Sequence, residues 1–199
     1  MIRRRFVLLA CGMVAISVLS RAGSAATPTP SHGPTVGLAQ LEARPLLLPV
    51  VPPGGTCPSH HYAEIDLGGG SMTVTGDGPI YLTGKGVQAT TTWGVYYDPT
   101  YYAGPQLSGL VLLRIRDLET GRAGVFVGPY AAGEVVGTDT INGKTLQQRK
   151  EAVIDASHHP ATSGSSKWGI WNVRQGWPAN WSGCFGFQFD GASFAETGP

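Results

Sequence analysis

The sequence predicts an all-β fold: a single antiparallel β-sandwich, immunoglobulin-like or jelly-roll-like, closed by one disulfide. Three observations carry that expectation. From residue 57 onward, short runs of β-branched and aromatic residues are punctuated by Gly, Pro and Asp about every eight to twelve positions, with no αβ alternation. Two cysteines, Cys57 and Cys184, bracket this region. Near the C-terminus, Phe185, Phe187 and Phe189 alternate with smaller or polar residues, the period of a strand with one aromatic face.

The elements follow in order. Residues 3–5 are three arginines, residues 6–20 (FVLLACGMVAISVLS) an apolar run, and small residues close the segment at Ala22, Ser24, Ala25 and Ala26. Charge, apolar run and small residues in that order read as a secretory signal peptide over residues 1–25, with cleavage near Ala25 or Ala26. The run is shorter than the roughly 20 residues needed to cross hydrocarbon, so no membrane span is expected after processing. Arg3-Arg4-Arg5-Phe6-Val7 also resembles a twin-arginine signal, and Cys11 is read as a small hydrophobe lost with the leader.

Residues 26–56 form a Pro-rich N-terminal spacer, with seven prolines among the thirty residues 26–55. Proline fixes φ and removes donors, which favours extended chain over sheet. Residues 46–51 (LLLPVV) are too apolar for a free linker, and packing against the domain is preferred over a recruitment segment. The domain itself is read as residues 57–195, with residues 196–199 as a tail.

Within the domain, residues 63–67 (AEIDL) and 71–75 (SMTVT) read as strands on either side of Gly68-Gly69-Gly70. Residues 80–82 make a short strand, and residues 87–97 (VQATTTWGVYY) a longer one ending at Asp98-Pro99. Residues 110–116 (LVLLRIR) turn through Glu119-Thr120-Gly121 into residues 124–128, which reads as a hairpin. Asn142-Gly143 is a strong signal for a type I′ turn, since both central positions need positive φ. Residues 146–155 (LQQRKEAVID) leave helix and strand open, because the apolar positions do not sustain a helical stripe.

Composition bounds the function. The chain has 199 residues, 14 Lys+Arg, 13 Asp+Glu and only 14% charged residues. Four of the basic residues lie in the leader, which leaves 10 positive against 13 negative groups. Nucleic acid is therefore not expected as a partner, since phosphate binding needs a basic face. An even pair of cysteines in an exported chain reads as a Cys57–Cys184 disulfide. Closing so long a loop stabilises by about 4–5 kcal/mol in the chain-entropy picture. There is no C-x-x-C spacing, so the bond is structural.

Residues 183–194 (GCFGFQFDGASF) resemble the ending of a group of uncharacterised exported bacterial proteins. Those proteins end in Gly-Cys, an aromatic, a small residue, an aromatic, Gln, then Asp-Gly and a Phe. The resemblance implies a small disulfide-tied β-sandwich and implies no activity, cofactor or catalytic residue. The departure is at the end, where Gly198-Pro199 stands in place of an apolar terminal strand, so a closing strand pair is not assured.

Two constellations could carry chemistry. Trp168, Trp171, Trp177 and Trp181 crowd into fourteen residues, and Tyr96-Tyr97-Asp98-Pro99-Thr100-Tyr101-Tyr102 adds four aromatics in an expected loop. Exposed flat rings stack on sugar faces, whereas buried ones are ordinary core residues. Trp177, Trp181, Tyr101 and Tyr102 are the residues expected to bind a ligand, with carbohydrate, cell-wall polymer or an envelope protein as partner. The pairs His60-His61 and His158-His159 are the candidates for a metal or acid–base site, and they carry the alternative, a metal-dependent extracytoplasmic enzyme. Adjacent strand residues face opposite ways, so each pair offers one imidazole to a site unless it lies on a loop. No nucleophile elbow or phosphate loop is present, no cofactor is expected, and the leading expectation is an exported, non-catalytic, envelope-associated binding protein.

Overall fold

A computed structural model describes residues 36–59, 61–84, 87–158 and 168–198. The leader and the first part of the spacer lie outside the described residues. What is described is almost wholly β, built from two antiparallel sheets packed face to face. No helix among the described residues is long and apolar enough to cross a membrane.

The smaller sheet has the order β1 (Tyr62–Asp66), β2 (Ser71–Thr75), β3 (Ile80–Thr83), β6 (Thr100–Ala103), β11 (Gly169–Asn172). The larger sheet runs β14 (Phe194–Gly198), β13 (Phe185–Gly191), β7 (Leu110–Asp117), β10 (Lys144–Asp155), β8 (Val125–Val127), β12 (Arg174–Pro178), β5 (Gly94–Tyr97), β4 (Val87–Thr90). A further strand, β9 (Ala131–Ile141), pairs with β10. The core between the sheets draws Ile80, Tyr101 and Trp171 from one, and Leu113, Phe126, Ile154, Trp177, Phe187 and Phe189 from the other. Phe187 and Phe189 thus take the core face that their alternation required.

Several local expectations hold. Asn142 (φ 50°) and Gly143 (φ 77°) form the two-residue turn between β9 and β10, with Ile141 opposite Lys144. Residues 146–155 are strand, because both edges of β10 are used. Glu151 lies opposite Arg114 on one side and Ala132 on the other, while Arg149 lies opposite Phe126 and Val135. The expected hairpin is present but short. The chain folds back after Gly121, with Arg116 and Ala123 in an antiparallel bridge, Asp117 N donating to Arg122 O at 2.8 Å and Gly124 N to Ile115 O at 3.2 Å. Beyond it β8 leaves β7 and pairs with β10, where Phe126 lies opposite Arg149.

The stretch read as one strand over 87–97 is broken at Thr91, whose hydroxyl accepts the backbone N–H groups of Trp93 and Gly94. β5 and β6 belong to different sheets, and the chain crosses between them at Asp98-Pro99. It crosses again at Val173, between β11 and β12. Arg174 binds Asp98 through two nitrogens, each at 2.6 Å, and so fastens the two crossings together.

The ends of the chain differ from expectation. Residues 194–198, partly read as a tail, are the edge strand β14, and Glu196 is opposite Phe189. The last part of the Pro-rich stretch is docked rather than free. A short helix α1 (Leu38–Glu42) buries Leu41, and Leu48 and Val51 pack with Leu118 and Cys184. Residues 46–51 therefore lie on the domain, as preferred. The Cys57–Cys184 disulfide is formed. Cys184 precedes β13, and Cys57 precedes β1, so the bond ties one sheet to the other.

Candidate functional site

The aromatic residues expected to bind ligand are mostly structural. Trp177 is fully buried on β12, with the ring centroid of Phe185 at 4.8 Å and that of Trp181 stacked at 5.6 Å. Tyr101 is also fully buried, and its hydroxyl donates to Gln175 Oε1 at 2.6 Å across the sheets. Tyr102 is 6% exposed and packs on the outer face of the smaller sheet with Ile65 and Val74. The physical reason is the brevity of the Asp98-Pro99 crossing. Instead of a loop carrying four rings, two strands meet there, and their adjacent tyrosines must point to opposite faces, both of which are covered. Of the four, Trp181 alone keeps partial exposure, and it serves to cap Trp177, Phe185 and Tyr97.

The histidines divide. His60 and His159 lie outside the described residues. His61 Nδ1 is 2.6 Å from Asp77 Oδ1, and His158 Nδ1 is 2.7 Å from Asp155 Oδ2. Both rings are exposed and each is oriented by a carboxylate. Asp155 is held below the usual carboxylate range despite burial, by hydrogen bonds from His158 and Ser157. Among the described residues, no three His, Cys, Asp or Glu side chains are grouped to hold a metal ion.

His61 does belong to a site. An open cleft of about 430 Å³ lies where the end of β2, the end of β14 and the chain after Cys57 meet, lined by Pro58, Ser59, His61, Thr75, Asp77 and Thr197. That volume falls within the range of small-ligand pockets. The lining is built from the residues up. Gly76 N donates to His61 O at 3.0 Å, which seats the histidine beside the β2–β3 loop. Gly76 has φ +126°, and a Cβ there would stand 2.9 Å from Ile80 O, so the loop closes over itself only with glycine. The Asp77 carboxylate then reaches His61 from the loop.

Glu196 supports this loop from below. Ile80 N donates to its Oε2 at 3.3 Å, and the backbone N–H groups of Asp77 and Gly78 donate to the same carboxylate. Burial nonetheless pushes the group up to about 7, with the neighbouring Asp77 charge adding to the rise. These donors come from the loop and from Ile80 at the start of β3, so Glu196 braces the cleft and is not among the side chains that line it.

Tyr62 is not among the lining residues, but it follows His61 in the chain and pairs with Thr75, both of which are. Tyr62 is 71% exposed and lies directly opposite Thr75 in the β1–β2 pair, so the two side chains share a face. A flat ring at the rim, two side-chain hydroxyls inside from Thr75 and Thr197, and a carboxylate–imidazole pair can together stack on and hydrogen-bond a polyhydroxylated ligand. Among the described residues that line the cleft, the carboxylate is Asp77, and it is bound to His61. Sequence reasoning passed over Tyr62 and Asp77. A signal was available: Tyr62 shares the phase of Glu64 and Asp66 in β1, opposite to the buried Ile65, and an aromatic in the polar phase of a strand faces solvent. Asp77 sits in Gly76-Asp77-Gly78-Pro79, where it reads only as turn punctuation. Comparison with protein-family models, curated proteins and solved structures finds no match for this chain.

Proposed function

We propose that this is an exported, non-catalytic binding protein that takes a carbohydrate or cell-wall polymer in the cleft between Tyr62 and Thr197. Export is supported by the leader pattern in the sequence and by a disulfide, which persists in oxidising compartments. The observation that carries the binding reading is the exposed Tyr62 ring beside an open cleft of about 430 Å³. The ring supplies a stacking platform, and Asp77, His61 and the hydroxyls supply the directional contacts that sugars need. Relative to the sequence expectation, the ligand class is kept and the residues change: Tyr62 replaces Trp177, Tyr101 and Tyr102.

Sedimentation with insoluble polysaccharides and purified cell wall tests the reading, using the mature protein and the variants Tyr62→Ala and Asp77→Asn. Retention of the parent, weakened at least about tenfold in each variant, supports it, the loss being the size expected for one ring or one charged hydrogen bond. Parent protein that sediments with none of them, or variants that sediment like the parent, would overturn it. One observation favours the metal-enzyme alternative: the Nδ1–carboxylate bonds of His61 and His158 match the way metal-bound imidazoles are oriented. Stoichiometric zinc, copper or iron in protein purified without a His tag would establish that alternative.

A further inference from the structure

The outer face of β7 and β13, next to the cleft through the direct pairing of Gln188 with Thr197, carries polar side chains with no role in the core. Gln188 and Asp190 are both fully buried, and Arg114 bridges to Asp190 at 2.5 Å. Gln188 and Arg114 are direct cross-strand partners, so they form one row. What buries them is residues 44–51, and the contacts are to main chain. Arg114 donates to the carbonyls of Arg44 (2.9 Å) and Pro45 (3.4 Å). Gln188 Nε2 donates to Pro45 O at 2.9 Å, while its Oε1 accepts from Leu47 N at 2.6 Å. Leu118 O accepts from Val51 N at 2.8 Å.

Apolar specificity accompanies this main-chain reading. Leu48 and Val51 enter a pocket with Leu118 and Cys184. Gly186 makes room for it, since a Cβ there would stand 2.9 Å from Leu48 Cδ2. Pro45 and Pro49 pre-set extended chain, which lowers the entropy lost on docking. Gln188 thus gives its acceptor and one donor to the backbone of Pro45 and Leu47, while its Nε2 also faces Asp190 at 3.0 Å, so the pair holds an extended chain through main-chain groups that any sequence presents. The connection that follows, residues 52–56, is exposed throughout.

We propose that the outer face of β7 and β13 is a peptide-binding groove for extended, proline-bearing apolar segments, and that residues 44–51 are its built-in occupant. The groove therefore accepts a peptide of the same chemistry, Pro-Leu-Leu-Leu-Pro-Val-Val, when its own segment leaves. The disulfide remains with the body, because Cys57 lies beyond the exposed connection.

The test uses the full chain with a site-specific protease recognition sequence in place of residues 53–56, and a fluorescent synthetic peptide spanning residues 36–52. Before cleavage the peptide finds the groove filled and does not bind. After cleavage it exchanges with the severed segment and binds saturably, and a peptide with the prolines and leucines scrambled does not. Gln188→Ala weakens binding about tenfold, with the near-ultraviolet circular dichroism of the cleaved body unchanged. The proposal is overturned by equal binding before and after cleavage, by no binding to a cleaved body that stays folded, or by unfolding of the body when the segment leaves. That last result would make residues 44–51 an integral part of the core.

Discussion

Raising the pH from 5 to 8 should destabilise the protein, and Glu196→Gln should remove most of that slope. Glu196 is enclosed beneath the β2–β3 loop, and burial pushes its carboxyl from the ordinary 4.5 to about 7. Each unit is about 1.4 kcal/mol, so the displacement corresponds to at most about 3.5 kcal/mol. The sign follows from the direction of the shift. The folded state holds the proton more tightly than the unfolded chain, so this contribution is complete below about 4.5 and is lost as pH rises through about 7. Asp117 and Asp155 are shifted the opposite way, held below their ordinary 3.8 by hydrogen bonds that outweigh their burial. Their contributions are present above 3.8 and disappear only in acid, outside this window. Glu151 is raised in the same sense as Glu196 but is untouched by the substitution. Urea unfolding midpoints at constant m, measured at pH 5, 6, 7 and 8 for the parent and Glu196→Gln, isolate the effect. The parent should lose about 2–3 kcal/mol more than the variant across the range. Parallel curves, agreeing within about 0.5 kcal/mol, would refute the placement of a protonatable Glu196 under the loop.

Other expectations follow from the same packing. Trp177→Ala should cost about 3–5 kcal/mol in chemical denaturation, because a fully buried indole leaves a cavity. Sedimentation of whatever protein remains folded should be unaffected, which separates a core role from a ligand role. Replacing Cys57 and Cys184 by alanine should lower stability by about 5 kcal/mol, since the closed loop spans 127 residues. Calorimetry under reducing conditions should reproduce that loss. Gly143→Val should destabilise by about 1–2 kcal/mol, because φ is 77° there and a β-branched side chain opposes it. Asn142→Gly should cost far less.

What the sequence revealed depended on how local each determinant was. The β9–β10 turn needs only two residues with positive φ, and Asn142-Gly143 states that need directly. The aromatic face of β13 follows from a period of two. The disulfide followed from parity and compartment. By contrast, the partner of β8 depends on β10, more than twenty residues away in the chain, and no turn signal encodes that choice. The tyrosines failed for a related reason. Asp98-Pro99 marks a break correctly, but whether the break is a loop or a crossing between sheets is decided by Arg174, which fastens it from β12. The cleft was the least legible feature. Its lining comes from three separated stretches, and short side chains such as Ser59, Thr75 and Thr197 carry no pattern of their own. Gln188 and Asp190 illustrate the reverse case. They alternate with phenylalanines and so read as a solvent face, yet an N-terminal segment covers them completely.

The central claim is that the Tyr62 cleft, and not the tryptophan cluster, meets the ligand. Titrating isotope-labelled protein with soluble fragments of whichever polymer retains it, and following amide shifts, tests that claim directly. Shifts gathered on Tyr62, Thr75, Gly76, Asp77 and Thr197 are the predicted result. Shifts gathered instead around Trp181 and Tyr97, with the cleft silent, would contradict it.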